Sequence, residues 1–103
     1  MADLTVTEWK SQLEQDSNAV VLDVRTPAEC DEGVIPNAKS LDLYSGQEFL
    51  DGLDQFDKAK SYYVYCRSGV RSAQACSIMK QLGFNKAYNL MGGILAWDGE
   101  IVR

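Results

Sequence analysis

The stretch Ser61–Ala75, SYYVYCRSGVRSAQA, constrains the fold more than any other part of the chain. Its aromatic and apolar opening, Tyr62-Tyr63-Val64-Tyr65, reads as a buried strand. The strand stops at Cys66. Arg67-Ser68-Gly69-Val70-Arg71 follows as a loop, and Ser72-Ala73-Gln74-Ala75 opens a helical pattern. A strand that ends in a cysteine and turns at once into a helix sets the sulfur over the helix N-terminus. The first amides there have no intrahelical partner, and the helix dipole favours negative charge. Gly69 lets the backbone turn tightly and come close to an anion. Arg67 and Arg71 add fixed positive charge. The pattern predicts a seat for an anionic sulfur, with Cys66 as nucleophile and Arg67 to Ser72 as its binding loop. The competing reading is a packing cysteine beside two solvated arginines. A packing cysteine needs neither the glycine, nor the arginine pair, nor the helix start.

The chain has no histidine. That removes the Ser-His-Asp triad, the Cys-His pair and histidine metal ligands together. A cysteine nucleophile here must be activated by electrostatics, not by an imidazole. The 103 residues suit one domain, 1–103. A net charge of −5 without a long basic run argues against nucleic acid as a partner. No apolar run approaches a membrane span, and the N-terminus lacks the pattern of a signal peptide. Three cysteines cannot all pair within the chain, and their spacing fits no zinc site. A reducing cytoplasm is therefore the expected setting, with no metal and no cofactor.

From the N-terminus, Thr5-Val6-Thr7-Glu8 reads as a capping box that starts a helix running to about Gln15, with Trp9 and Leu13 on one face. Ala19 to Val24 is a near-continuous apolar run, as in a strand covered on both faces. Asp23 and Arg25 stand at its end. An ion pair that anchors the loop is favoured there over direct catalysis. Thr26-Pro27-Ala28-Glu29 is a second capping box, with proline at the first helical position, for a short helix ending near Gly33. Ser40-Leu41-Asp42-Leu43 alternates like a short edge strand. Ser45-Gly46-Gln47-Glu48 reads as a third capping box, opening a helix with an apolar stripe of Phe49, Leu50 and Leu53. Asp51, Asp54 and Asp57 make a solvated face. Ala75, Cys76, Met79 and Leu82 recur at helical spacing up to Gly83, which makes Cys76 a packing residue. Lys86 to Leu90 is the last strand, and Met91-Gly92-Gly93 leads a short helix through Trp97. Strands alternating with helices give an α/β domain with a parallel sheet and right-handed crossovers. Ligands of such sheets bind beyond the carboxyl ends of the strands, where Cys66 stands.

CRSGVRS resembles the active-site loop of the rhodanese family, the sulfurtransferases, in single-domain form. Leu22-Asp23-Val24-Arg25-Thr26-Pro27, Gly33-Val34-Ile35-Pro36-Asn37-Ala38 and Gly92-Gly93-Ile94-Leu95-Ala96-Trp97 are similar to further blocks of that family, in its order. The resemblance implies a three-layer fold with a central parallel five-stranded sheet and helices on both faces. It places the Asp23 strand beside that of Cys66, and the double glycine against the loop, although a simple turn would also account for Gly92 and Gly93. It implies sulfane sulfur transfer through a Cys66 persulfide. The partners would be a small anionic donor such as thiosulfate and a thiophilic acceptor: cyanide in the assay, a thiol or protein in the cell. Two positions depart from the pattern. Val34 stands where the family has histidine, and Asn37 where it has glycine. Cys30 occupies a place usually aromatic, and core packing is favoured over a second thiol near the site.

Two alternatives stay open. One is a partner-specific persulfide carrier or binding module. The other is a cysteine phosphatase or arsenate reductase. Those need a loop one residue longer, with the arginine six positions after the cysteine, whereas Arg71 is five after Cys66. The sulfur-transfer reading requires that the loop amides aim at the sulfur and that its side chain is not sealed in the core.

Overall fold

The computed structural model describes residues 2–103. Five strands form one sheet: β1 (Ala2–Leu4), β2 (Ala19–Asp23), β3 (Lys39–Ser40), β4 (Ser61–Tyr65) and β5 (Lys86–Leu90). Their spatial order is β1-β5-β4-β2-β3, and every pairing is parallel. The helices are α1 (Val6–Gln15), α2 (Pro27–Cys30), α3 (Gln47–Leu53), α4 (Val70–Gln81) and α5 (Gly93–Ala96), with a 3₁₀ turn at Leu43–Ser45.

The central strand β4 is buried along its whole length. Successive side chains of a strand point to opposite faces, so β4 feeds two cores. Tyr62, Val64 and Cys66 pack on one side with Phe49 and Leu53 of α3 and Ala75, Cys76 and Met79 of α4. Tyr63 and Tyr65 pack on the other with Trp9 of α1, Ile35 and Leu90. Trp9 anchors that second core edge-on to Tyr63 at 5.7 Å, and its indole N–H donates to the Tyr88 carbonyl at 3.1 Å. Cys66 is thus the next inward position of β4 on the α4 side, one step past the end of the strand.

The first two capping boxes form as the sequence predicts: Thr5 and Thr26 each exchange hydrogen bonds with the glutamate three residues on. The third does not. Gly46 caps α3 without a side-chain bond, and the Ser45 hydroxyl instead donates back to the Asp42 carbonyl at 2.6 Å. Asp42 also breaks the expected edge strand. Its carboxylate accepts from the Tyr44 amide at 2.9 Å, turning the chain into 3₁₀ geometry; the strand itself is Lys39–Ser40, and the Leu41 and Leu43 amides still donate to the Asp23 and Val24 carbonyls. The strand with no signal of its own is β1, three residues paired with Tyr88 to Leu90.

Candidate active site

The loop after β4 is shorter than the sequence suggests. Gly69 is the N-cap of α4 at φ +100°, so Val70 and Arg71 already belong to the first helical turn. Glycine adopts that conformation without steric cost. Space requires it too: a Cβ on Gly69 would lie 3.1 Å from the Gly92 nitrogen and 3.2 Å from the Leu90 carbonyl oxygen. From the other side, the Ile94 and Leu95 amides of α5 donate to the Cys66 and Arg67 carbonyls at 2.9 and 3.2 Å. The double glycine therefore packs on the loop and is no simple turn.

This wrapping aims the loop's donors at the sulfur. The Gly69 amide donates to Cys66 Sγ at 3.1 Å, and the Ser72 hydroxyl lies 3.3 Å from it. Burial pushes the thiol pKa up. The Ser72 hydroxyl and the amides of Ser72, Gly69 and Ser68 outweigh that and hold it below the ordinary cysteine value. The amides of Val70 and Arg71 find no acceptor among the described residues. They remain available to a further anionic atom. Cys66 itself is 1% exposed and packs within the core cluster of that face, so the second requirement is not met in this structure: the sulfur lies covered beneath the loop.

The two arginines are not equivalent. Arg71 is tied to Glu29 of α2 by a bidentate pair at 2.7 and 2.8 Å, and its guanidinium lies 5.4 Å from the Tyr44 ring. The bond from Arg71 holds the Glu29 carboxyl at about 2, well below its usual range. Arg71, expected from the sequence to add positive charge beside the sulfur, is therefore paired with a carboxylate. Its guanidinium is already shared, although its charge still reaches the Cys66 sulfur. Arg67 is exposed and in no ion pair among the described residues. It lines a cleft of about 160 Å³ with Arg25, Glu29, Glu32, Ile94 and Ile101.

Asp23 and Arg25 form the anchoring pair. Arg25 donates to Asp23 from its backbone amide, Nε and Nη2, with Nη2 at 2.7 Å from Oδ2, and from Nη2 also to the Gly33 carbonyl at 2.7 Å. Both side chains are buried. The pair ties the end of β2 to the segment that carries Glu29. Asn37, in place of the family glycine, has φ +67°, a conformation that asparagine tolerates better than most residues. Val34, in place of the histidine, forms a two-bond antiparallel bridge with Val102. Cys76 is buried with its pKa pushed up to about 12, which suits a packing thiol. Cys30 is not core. It is partly exposed in a cavity of about 290 Å³ with Arg25, Pro27, Asp31, Ser40 and Asp42, and its nearest donor is the Ser40 hydroxyl at 3.6 Å. None of Asp51, Asp54 and Asp57 belongs to a cluster able to hold a metal among the described residues.

Two contributors escaped the sequence reading. Glu29 was visible only as a capping residue, and nothing local marks its long-range partner. Asn89, a polar side chain inside the last strand, was a visible oddity. It accepts from Ser72 and donates to Asp3 Oδ1 and the Gly69 carbonyl, so it stands behind the loop.

The fold and the sequence both match known proteins. The family model of the rhodanese-like domain matches residues 5–100. A protein of Allochromatium vinosum named sulfurtransferase is 40% identical over 88% of this chain and 83% of its own. The YtwF protein of Bacillus subtilis is 36% identical over 95% of this chain and 91% of its own. A crystal structure of a rhodanese-like domain protein from Staphylococcus aureus superposes with a TM-score of 0.83 at 36% identity, covering 97% of this chain and 94% of that one. With the sheet order, the cysteine at the end of β4 and its amide-lined loop already established, the chain belongs to the rhodanese-like domain family.

Proposed function

We propose that this protein is a sulfurtransferase in which Cys66 relays a sulfane sulfur from an anionic donor such as thiosulfate to a thiophilic acceptor. The Cys66 thiolate attacks the outer sulfur of the donor. A new S–S bond forms, the donor's own S–S bond breaks, and its electron pair leaves with sulfite. Cys66 then carries a persulfide whose negative charge sits on the terminal sulfur. A nucleophilic acceptor takes that atom, and the Cys66 thiolate leaves. The observation that carries the reading is the convergence of the Gly69 amide and the Ser72 hydroxyl on one nearly buried sulfur. The unengaged Val70 and Arg71 amides suit the terminal sulfur of the persulfide. Arg67 is the cation free to meet the donor's oxyanion head. Kinship with a sulfurtransferase supports the same reading. A reducing cytoplasm fits three free cysteines.

The exposed apolar Val70, Met91 and Leu95 on the loop and beside it favour a protein thiol as the cellular acceptor. A carrier of that kind passes sulfur slowly to cyanide and quickly to its partner. Against a phosphatase stand the short loop and the engagement of Arg71 by Glu29. The test is intact mass after incubation with thiosulfate. The wild type gains one sulfur and Cys66→Ser gains none. Loss of the gain in Cys30→Ser or Cys76→Ser instead would move the nucleophile elsewhere.

A further inference from the structure

Behind Cys66 runs a buried polar chain that crosses the sheet edge. Ser72 Oγ lies 3.3 Å from Cys66 Sγ and 2.5 Å from Asn89 Oδ1. Asn89 Nδ2 donates to Asp3 Oδ1 at 2.9 Å and to the Gly69 carbonyl at 3.2 Å. Ser72 is 0% exposed and Asn89 4%, so water does not substitute for a missing partner at that point. The amide's orientation follows from its neighbours. Turned over, Asn89 would face its oxygen to a carboxylate and a carbonyl, three acceptors together with no proton among them. Oδ1 therefore points at Ser72, and a contact that short between two oxygens needs a proton. Asn89 Oδ1 has none to give, so the hydroxyl supplies it.

A serine hydroxyl has one proton. Two acceptors lie within its reach, the amide oxygen and the sulfur. We propose that Asn89 is a positioning residue for the Cys66 sulfur, competing with it for the single hydroxyl proton of Ser72. With a neutral thiol, S–H donates to Ser72 Oγ and Ser72 donates to Asn89, so every group is paired. When the sulfur is a thiolate, the hydroxyl turns to Sγ and leaves Asn89 Oδ1 without its donor. When Cys66 carries a second sulfur, the charge moves one atom outwards, Sγ becomes a poor acceptor, and the hydroxyl returns to Asn89. The amide thus favours the thiol and loaded states over the bare thiolate. The last step rests on the sulfur relay proposed above; the competition in the unloaded protein does not.

The charged groups around the sulfur are few. Arg71 of α4 adds positive charge and is itself paired with Glu29 of α2. Asp3 of β1 stands behind Asn89. The Asp23–Arg25 pair of β2 is internally neutralised. Arg67 of the loop is exposed, and α5 carries no charged side chain. Substitution at Asn89 leaves the arginines, Glu29 and Asp23 in place but also removes the donor to Asp3 and to the Gly69 carbonyl, so the part of a shift that reports the hydroxyl is the part that disappears when Ser72 is absent.

The test is the pH dependence of Cys66 alkylation by iodoacetamide, read by mass on the unloaded protein. Asn89→Ala removes the competitor, and the apparent pKa of Cys66 falls by about one unit, roughly tenfold more thiolate at a pH below both values. In a Ser72→Ala background, Asn89→Ala then lacks the part of the shift that reports the hydroxyl. A shift of equal size in both backgrounds, or a rise, overturns the proposal. A wild-type measurement covers a variant that fails to fold: the Asn89 side-chain amide resonances titrate with the pKa of Cys66, and in Ser72→Ala they do not. Their failure to titrate in the wild type also overturns it. Thiosulfate should return those resonances to their thiol-state positions at alkaline pH. If the titration is present but thiosulfate adds no sulfur, the relay reading fails and the proton competition stands.

Discussion

Gly93→Ala puts the architecture of the loop to its most direct test. Gly93 sits at φ +61°, which costs an L-residue roughly 1–2 kcal/mol. A Cβ built there would collide with the Arg67 carbonyl group and come within 2.6 Å of the Cys66 carbonyl oxygen. These are backbone atoms, which cannot swing aside as a flexible side chain would. Overpacking of that kind costs about 1–3 kcal/mol. The two terms sum to about 2–5 kcal/mol, a fall in Tm of ~8 °C or more for a domain of this size. Relief requires α5 and the loop to separate, which breaks the bonds from the Ile94 and Leu95 amides. The Cys66 alkylation rate should then change as well. Gly83→Ala is the control, because it has φ +95° but no atom nearer its Cβ than Lys58 Cδ at 3.9 Å. It carries the conformational cost without the collision. Differential scanning calorimetry and iodoacetamide kinetics on both variants decide the matter. If Gly93→Ala melts within ~2 °C of Gly83→Ala and alkylates at the wild-type rate, the loop does not depend on close approach of α5.

Three further outcomes follow from named contacts. Arg25→Met leaves the Asp23 carboxylate buried without its partner and should cost about 3–5 kcal/mol by denaturant unfolding, whereas an exposed pair would cost about 1 at most. Glu29→Gln should release Arg71 and lower the KM for thiosulfate several-fold without raising kcat. The same carboxyl is depressed to about 2, so its contribution to stability is complete above the usual carboxylate range and is lost as pH falls through that range towards 2. Acid unfolding of Glu29→Gln should therefore lack that part of the slope, and an unchanged profile would refute the pairing. Cys76 is buried with a pKa near 12, so native protein at neutral pH should take no alkyl group there, and Cys76→Ala should leave Cys66 reactivity unchanged.

Much of the site was legible because it is local. Strand, cysteine, glycine and helix start are consecutive, and the turn at Gly69 brings its own amide to the sulfur. The capping boxes at Thr5 and Thr26 are local too, and both form. The misreadings have a common cause. Ser45 matched a capping pattern, but Asp42 three residues earlier offers a competing turn, and the Ser45 hydroxyl bonds its carbonyl instead of capping α3. β1 is three residues long, too short for any periodicity, and exists because β5 has an open edge to pair. Glu29 meets Arg71 and Asn89 meets Ser72 across 42 and 17 residues of sequence. Such pairings are set by how α2 and β5 flank the loop after folding, and no spacing rule encodes them. Sequence alone showed two arginines near an anion seat. That one is already held by a carboxylate is a property of the tertiary structure.

The absence of histidine bears finally on what kind of rate law this site can produce. Around Cys66 Sγ the donors are amides and one hydroxyl, none of which ionises near neutrality. Arg71 is held protonated, its pKa raised by the bond to Glu29, and Glu29 is held ionised. Among the described residues no neighbour is placed to pass a proton to a leaving group at neutral pH. Release of sulfite from thiosulfate needs no such proton, because sulfite departs as a stable anion. Acyl and phosphoryl transfers that expel an alcohol or an amine ordinarily do need one. Loading of Cys66 by thiosulfate should therefore depend on a single ionisation. The thiolate is the reactive form, so the logarithm of the single-turnover rate rises with unit slope below the thiol's lowered pKa and is flat above it. Single-turnover conditions exclude the acceptor's own titration from the measurement. A bell-shaped profile with a descending limb near neutrality would reveal an acid catalyst that this arrangement does not contain, and would refute electrostatic activation as the sole source of the nucleophile's reactivity.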